Sequence, residues 1–173
     1  MDSYIILGEM RCKIILNKSV YIVILNYQGY EDTIECLDSL MHLTYRNYHV
    51  VVCDNASPNH SYKYIDKWIK HNSQPNYSCI QTGKNLGFAG GNNVGIRYAL
   101  RNNADYIWLL NNDTTVNSDA LSMLIDYMEK YHNVGVCGSK LISYYDKNQV
   151  AGLGGWYNPW LGTSGHIMKN EDK

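Results

Sequence analysis

A three-layer α/β domain built on a mostly parallel sheet is the fold this sequence predicts, on two observations. Short β-branched apolar runs alternate along the chain with longer amphipathic stretches. Three of those runs break off into polar clusters, Asn26-Tyr27, Asp54-Asn55 and Asn111-Asn112-Asp113. With 173 residues, 45% hydrophobic and 18% charged, the chain is long enough to bury one continuous core.

The first run, Val20-Tyr21-Ile22-Val23-Ile24-Leu25, is apolar on both faces, as a strand inside a parallel sheet requires. It stops at the turn signal Asn26-Tyr27-Gln28-Gly29. Ile34, Leu37 and Met41 then recur at helical spacing, with Glu31, Asp32, Glu35 and Asp38 on the other faces. Tyr48 to Cys53 reads as a second strand. Pro58 suits the first turn of the helix that follows, whose buried stripe is Tyr62, Ile65 and Ile69. Tyr77 to Ile80 is a short third strand. Asn85-Leu86-Gly87-Phe88-Ala89-Gly90-Gly91-Asn92-Asn93 reads as a glycine-rich loop opening a helix that runs to about Arg101. Tyr106 to Leu110 is a fourth strand. Leu121, Leu124, Ile125 and Met128 line one face of a helix over Asn117–Tyr131, capped by Asn117 or Ser118. Val134 to Cys137 is a candidate fifth strand, and beyond Ser139 no periodic pattern emerges. Residues 1–19 read as an N-terminal extension or an extra strand, and 20–173 as a single domain.

Composition excludes several classes of function. Fifteen Lys and Arg against sixteen Asp and Glu build no field that would draw nucleic acid or an anionic surface. The longest apolar run, Val20 to Leu25, is far short of the ~18 residues a membrane-spanning helix needs. The N-terminus lacks the apolar stretch of an export signal, since Glu9, Arg11 and Lys13 interrupt it. Cys12, Cys36, Cys53, Cys79 and Cys137 are odd in number and form no C-x-x-C pair, so a reducing, cytoplasmic setting is expected. The histidines show no metal-binding spacing, and no nucleophile motif is present.

In a right-handed α/β fold the polar clusters fall together on the carboxyl edge of the sheet, where ligands bind. Asp54-Asn55 reads equally well as a helix-capping turn or as an acceptor for a ligand's amide edge or ribose. The glycines spell neither a Walker A loop nor G-x-G-x-x-G. Asn111-Asn112-Asp113 is the most telling cluster, because a buried strand has no packing reason to end in three such side chains. Asp113 offers one hard oxygen, enough for Mg²⁺ or Mn²⁺ recruited with a diphosphate and too little for a cage of its own.

Four motifs in order, Ile22-Val23-Ile24-Leu25-Asn26-Tyr27, Val51-Val52-Cys53-Asp54-Asn55-Ala56-Ser57, Asn85 to Asn93, and Leu109-Leu110-Asn111-Asn112-Asp113-Thr114, resemble the family 2 inverting glycosyltransferases of GT-A fold. The resemblance is to the rhamnosyltransferase-like branch that builds bacterial cell-surface polysaccharides, and it covers about Val20 to His166. It implies a nucleotide-sugar site. Asn26 and Tyr27 would line the nucleoside pocket, and Asp54 would bond the imide N–H of uracil or thymine. Asn85, Gly91 and Asn92 would belong to a loop closing over nucleotide and sugar. Asn111-Asn112-Asp113 would stand for the D-x-D signature, with Asn111 in place of its first Asp and Asp113 in the metal position.

The resemblance further implies transfer with inversion from a nucleoside-diphosphate sugar, dTDP-rhamnose or a UDP-sugar, to a polysaccharide or lipid-linked glycan, with Mg²⁺ or Mn²⁺ as cofactor. The base that deprotonates the acceptor is expected in an acidic motif beyond Lys173, so the fold is expected to lack most of its acceptor-binding half. Peripheral contact with the inner face of the membrane and self-association through an open sheet edge are compatible with it. The other readings are a nucleotide-sugar-binding domain without turnover and a nucleotidyltransferase. Asn26-Tyr27-Gln28-Gly29 lacks the basic glycine-rich loop that the second would need.

Overall fold

The structure, a computed structural model, describes the backbone of residues 5–7, 10–12 and 18–166 and the side chains of 18–165. Contacts divide the chain into two compact units, Met1–Asn117 and Ser118–Lys173. The first unit holds, in order, β1 (Ile5–Leu7), β2 (Met10–Cys12), β3 (Val20–Asn26), α1 (Tyr30–Leu40), β4 (Tyr48–Asp54), α2 (Ser61–His71), β5 (Tyr77–Gln81), α3 (Gly87–Arg101) and β6 (Tyr106–Asn111). β1 and β2 form an antiparallel pair of their own. The other strands make one parallel sheet in the order β5-β4-β3-β6.

β3 and β4 occupy the middle of this sheet, and both are buried along almost their whole length. Side chains alternate between its faces. Tyr21 and Val23 of β3, Val51 and Cys53 of β4 and Ala99 of α3 form one buried cluster, with Leu25 packed against it. The alternate residues Ile22, Ile24, Val50 and Val52 are fully buried on the other face, as are Leu37 and Leu40 of α1 and Ile65 of α2. Helices on both faces of a parallel sheet give the three layers expected.

Of the stretch expected to be a loop, Asn85 and Leu86 do precede the helix, but Gly87 to Asn93 are the first turns of α3. Two of its glycines serve packing. A Cβ on Gly91 would overlap Leu25, and one on Gly95 would overlap Val23 and crowd Cys53. Glycine at i and i+4 lets the helix lie directly on β3 and β4. That close approach supplies the burial that offsets glycine's poor helix propensity.

Two helix starts differ from expectation. α2 begins at Ser61, so Pro58 lies in the preceding turn. There the Asn59 side chain takes both the backbone N–H and the hydroxyl of Ser61. In the second unit α4 spans Ala120–Lys130 with Asp119 at its N-cap, in place of Asn117 or Ser118. Leu121 and Ile125 are its buried residues. Val134 to Cys137 forms no strand. Two antiparallel pairs follow instead, β7 (Leu141–Ile142) with β8 (Val150–Gly152) and β9 (Gly155–Asn158) with β10 (Thr163–His166). Trp156 pairs with Gly165, and a Cβ there would strike the Trp156 ring. An aromatic ring covering a cross-strand glycine leaves no period-2 trace, so this hairpin was invisible to patterning.

Gly95→Ala reverses the usual sign of a helix substitution. Alanine should gain about 1 kcal/mol of propensity, yet overpacking against Val23 and Cys53 should cost roughly 1–3 kcal/mol and leave the variant less stable. Urea unfolding of both proteins checks this, and a stabilised variant would contradict the packing.

The thiols allow a second test. Cys36 and Cys53 are buried, and desolvation pushes each up to about 12. Burial raises Cys79 as well. A thiol whose folded value lies above its unfolded value of about 8.5 stabilises the fold fully below that pH and loses the contribution as pH rises through the folded value. Urea midpoints should therefore fall from about pH 8.5 to 12. At pH 8 iodoacetamide should spare Cys36 and Cys53 until denaturant is added.

Candidate functional site

Strand register assembles the site. Asn26 pairs with Asp54 across β3 and β4, and Leu25 pairs with Asn111 across β3 and β6, so the polar clusters meet at one carboxyl edge. Alternation then sorts them. Leu25, Cys53 and Asn111 share the face that α3 covers, while Asn26 and Asp54 turn to the face of α1.

Asn26 and Asp54 are both completely buried. The Asn26 Nδ2 donates to Asp54 Oδ1 at 2.7 Å, and the Ser57 hydroxyl donates to the same oxygen at 2.6 Å. The Ser57 backbone N–H donates to Asp54 Oδ2 at 3.1 Å. Thr33 of α1 presents its hydroxyl to Asn26 Oδ1 (3.0 Å) and to the Gly29 carbonyl (2.7 Å). Asn112 closes the chain, with Nδ2 within bonding reach of Thr33 Oγ1 (3.2 Å) and the Gly29 carbonyl (3.3 Å). One run of buried and half-buried polar groups thus ties together the loops that follow β4, β3 and β6. The backbone yields to it: Gln28 and Ala56 take left-handed φ of 66° and 59°. The Gln28 N–H donates to Ser57 Oγ at 2.9 Å.

On the α3 side the same edge opens into a cavity of about 430 Å³. Leu25, Leu109 and Leu110 make its apolar part. Its polar lining includes Tyr27, Asn55, Asn85, Asn92, Asn112 and Asp113, with Asn111 beside them. Six of the expected residues are therefore brought together: Tyr27, Asn85, Asn92, Asn111, Asn112 and Asp113. Asn26, Asp54 and Gly91 do not line it. Asn26 and Asp54 stand on the opposite face of the sheet and satisfy one another, and Gly91 is buried against Leu25. Sequence reasoning weighed Asn55 only together with Asp54, giving it no role of its own, and did not single out Phe88. Phe88 is 70% exposed on the cavity wall. The parity rule was a usable signal for Asn55, which directly follows β4 and still bonds the Asn26 carbonyl through its N–H, so alternation carries on to it.

Asp113 is the single carboxylate in this lining. No group of three or more His, Cys, Asp or Glu among the described residues could hold a metal ion. One exposed carboxylate between amides fits a hard divalent cation when a diphosphate supplies further oxygens, and does not fit a cation alone. No described helix is long and apolar enough to cross a membrane.

Residues 19–169 match the family model described as Glycosyl transferase family 2. The chain belongs to that family. Among curated relatives it is 31% identical, over 104 residues, to the low-salt glycan biosynthesis hexosyltransferase Agl10 of Haloferax volcanii, a match covering 60% of this chain and 30% of that protein. It is 29% identical over 127 residues to the dTDP-rhamnosyl transferase RfbF of Shigella flexneri, covering 73% of this chain and 40% of that one. The chain thus spans well under half the length of these relatives. Its fold is that of the GT-A glycosyltransferases. The mannosyltransferase PcManGT of Pyrobaculum calidifontis, solved with GDP-Man and Mn²⁺, superposes with a TM-score of 0.60 at 18% identity over 76% of this chain and 37% of that one. TarS of S. aureus with UDP-GlcNAc gives 0.57 at 18% identity over 72% and 38%.

In this family-2 chain the Asn26–Asp54 pair should be a stability element first. Asp54→Ala takes the acceptor from the Ser57 N–H and leaves the Asn26 amide the longer bond to Ser57 Oγ at 3.3 Å, so unfolding free energy should fall by about 2 kcal/mol. Asp54→Asn, which can keep an acceptor oxygen toward Asn26, should lose less. Equal and small losses in urea unfolding would show that the pair carries no weight.

Proposed function

We propose that this chain forms the donor site of a glycosyltransferase that takes a sugar from a nucleoside-diphosphate sugar, dTDP-rhamnose or a UDP-sugar, and passes it to a polysaccharide or lipid-linked glycan with inversion. The observation that carries this reading is the cavity itself. In a family-2 fold, the residues after β6 and the start of α3 converge on the carboxyl edge of the sheet, where one carboxylate stands among amides. The names of the RfbF relative and of the TarS complex support a thymidine or uridine diphosphate sugar.

In the transfer, the bond from the anomeric carbon to the diphosphate oxygen breaks and its electron pair leaves with the nucleoside diphosphate. The acceptor oxygen bonds the anomeric carbon from the opposite side, and its proton passes to a base. Asp113 would hold the divalent ion, whose chemistry is to neutralise charge on the departing diphosphate. Asn111, Asn112, Asn85 and Asn92 would meet sugar or nucleotide oxygens, and Phe88 and Tyr27 offer aromatic surface to the nucleoside. Asn26 and Asp54 would act from beneath by fixing the loops that carry Tyr27 and Asn112. The base must come from outside this lining, because Asp113 is its single carboxylate. That same observation favours one second reading, donor binding by this chain alone without turnover. The β6 edge, with Leu109 half exposed, would allow self-association. A sedimentation profile of pure monomer at high concentration would count against it.

Calorimetric titration with UDP and dTDP, each with and without Mn²⁺, tests the site. Binding should be metal-dependent for one of them, and Asp113→Ala should remove the metal dependence while leaving the urea midpoint nearly unchanged, because Asp113 is exposed. Affinity that is the same with and without Mn²⁺ in both proteins would remove Asp113 from the metal role. Hydrolysis or transfer of the sugar separates the enzyme from the binding domain.

A further inference from the structure

Asn55 spends its whole side-chain amide on one distant segment. Its Nδ2 donates to Asn85 Oδ1 at 3.0 Å and to the Gly87 carbonyl at 3.2 Å. Its Oδ1 accepts the Leu86 N–H at 2.9 Å and lies 3.3 Å from the Thr82 hydroxyl. The two backbone partners decide which end of the amide is which, since an N–H must meet oxygen and a carbonyl must meet N–H₂. The same logic passes to Asn85. The atom that receives both the Asn55 Nδ2 and the Gly87 N–H, at 2.9 Å, has to be its oxygen. The N–H₂ end of Asn85 is then turned off this network, on an exposed residue of the cavity lining. Asn55 itself is 3% exposed and has no bonding capacity left over.

We infer that Asn55 is a positioning residue that fixes the orientation of Asn85, so that Asn85 offers an amide N–H₂ to an acceptor oxygen of the ligand, whether on phosphate or on the nucleoside. The inference rests on the nucleotide-sugar reading above and adds to it the polarity of one contact. A donor at Asn85 selects for an oxygen that needs an N–H. A carboxylate there would present an acceptor to an acceptor.

Asn85→Asp is the sharp variant, because a carboxylate oxygen can still accept from Asn55 and Gly87 while the outward amide is replaced by oxygen. Its thermal midpoint should stay close to that of the unaltered chain. Its affinity for whichever of UDP and dTDP binds should fall at least about tenfold. Titration with the free nucleoside and with pyrophosphate separates the two sources of oxygen, since only the one that Asn85 meets should lose affinity. Asn55→Ala should speed hydrogen exchange of the Leu86 amide while the middle of α3 stays protected. The double variant should bind no more weakly than Asn85→Asp alone. Unchanged binding by Asn85→Asp, losses that add, or unaltered Leu86 exchange in Asn55→Ala would each overturn the inference. If the unaltered chain binds no nucleotide with or without Mn²⁺, the nucleotide reading and the donor role of Asn85 fall together. The exchange measurement then still decides whether Asn55 holds the segment.

Discussion

A buried carboxylate with only neutral partners is the constraint on which the rest of this edge depends. Asp54 sits at the end of a central strand, wholly out of water, and its donors are the Asn26 amide and the backbone and hydroxyl of Ser57. Burying a charge on such terms is unfavourable unless every donor is held in place. Three loops are therefore shaped around it, two of them with residues forced into left-handed backbone. The left-handed Ala56 leads into Ser57, whose N–H and hydroxyl both serve the carboxylate, and the left-handed Gln28 gives its N–H to that same hydroxyl. Through Thr33 the same network reaches Asn112, so the position of the cavity rim follows from a group that never touches the cavity.

Much of this was legible in the sequence, and for identifiable reasons. Val20 to Leu25 is apolar at every position and Tyr48 to Cys53 at all but His49, a pattern that fits a strand covered on both faces, and they became the middle of the sheet. The polar clusters after the strands were found at the carboxyl edge because strand direction alone puts them there. What sequence reasoning lacked was the sorting of neighbours. Asn26 and Tyr27 were treated as one unit, and so were Asp54 and Asn55, though alternation sends the members of each pair to different sides. Residues that look like a ligand-reading doublet are a structural half and a lining half.

The glycines taught the converse lesson. Their density suggested a loop, since Gly is depleted from helices. Tertiary packing overrode that preference, because Leu25 and Val23 leave no room for a Cβ on the facing helix. Past Ser139 the short hairpins depend on cross-strand pairing and on a ring laid over glycine. Neither has a period that single-sequence reasoning can detect.

The close seating of α3 has a bearing on the thermodynamics of ligand capture. A nine-residue flexible flap would have to be ordered each time a ligand entered, at an entropic cost of about 1–2 kcal/mol for every residue fixed. Here the wall bearing Phe88 and Asn92 is already a helix held against the sheet, and its leading end is stitched to β4 by Asn55. That ordering was completed when the chain folded. The glycines thus act as a means of preorganisation: by giving up side chains they let the helix lie close, and the ligand meets a wall whose backbone is already ordered.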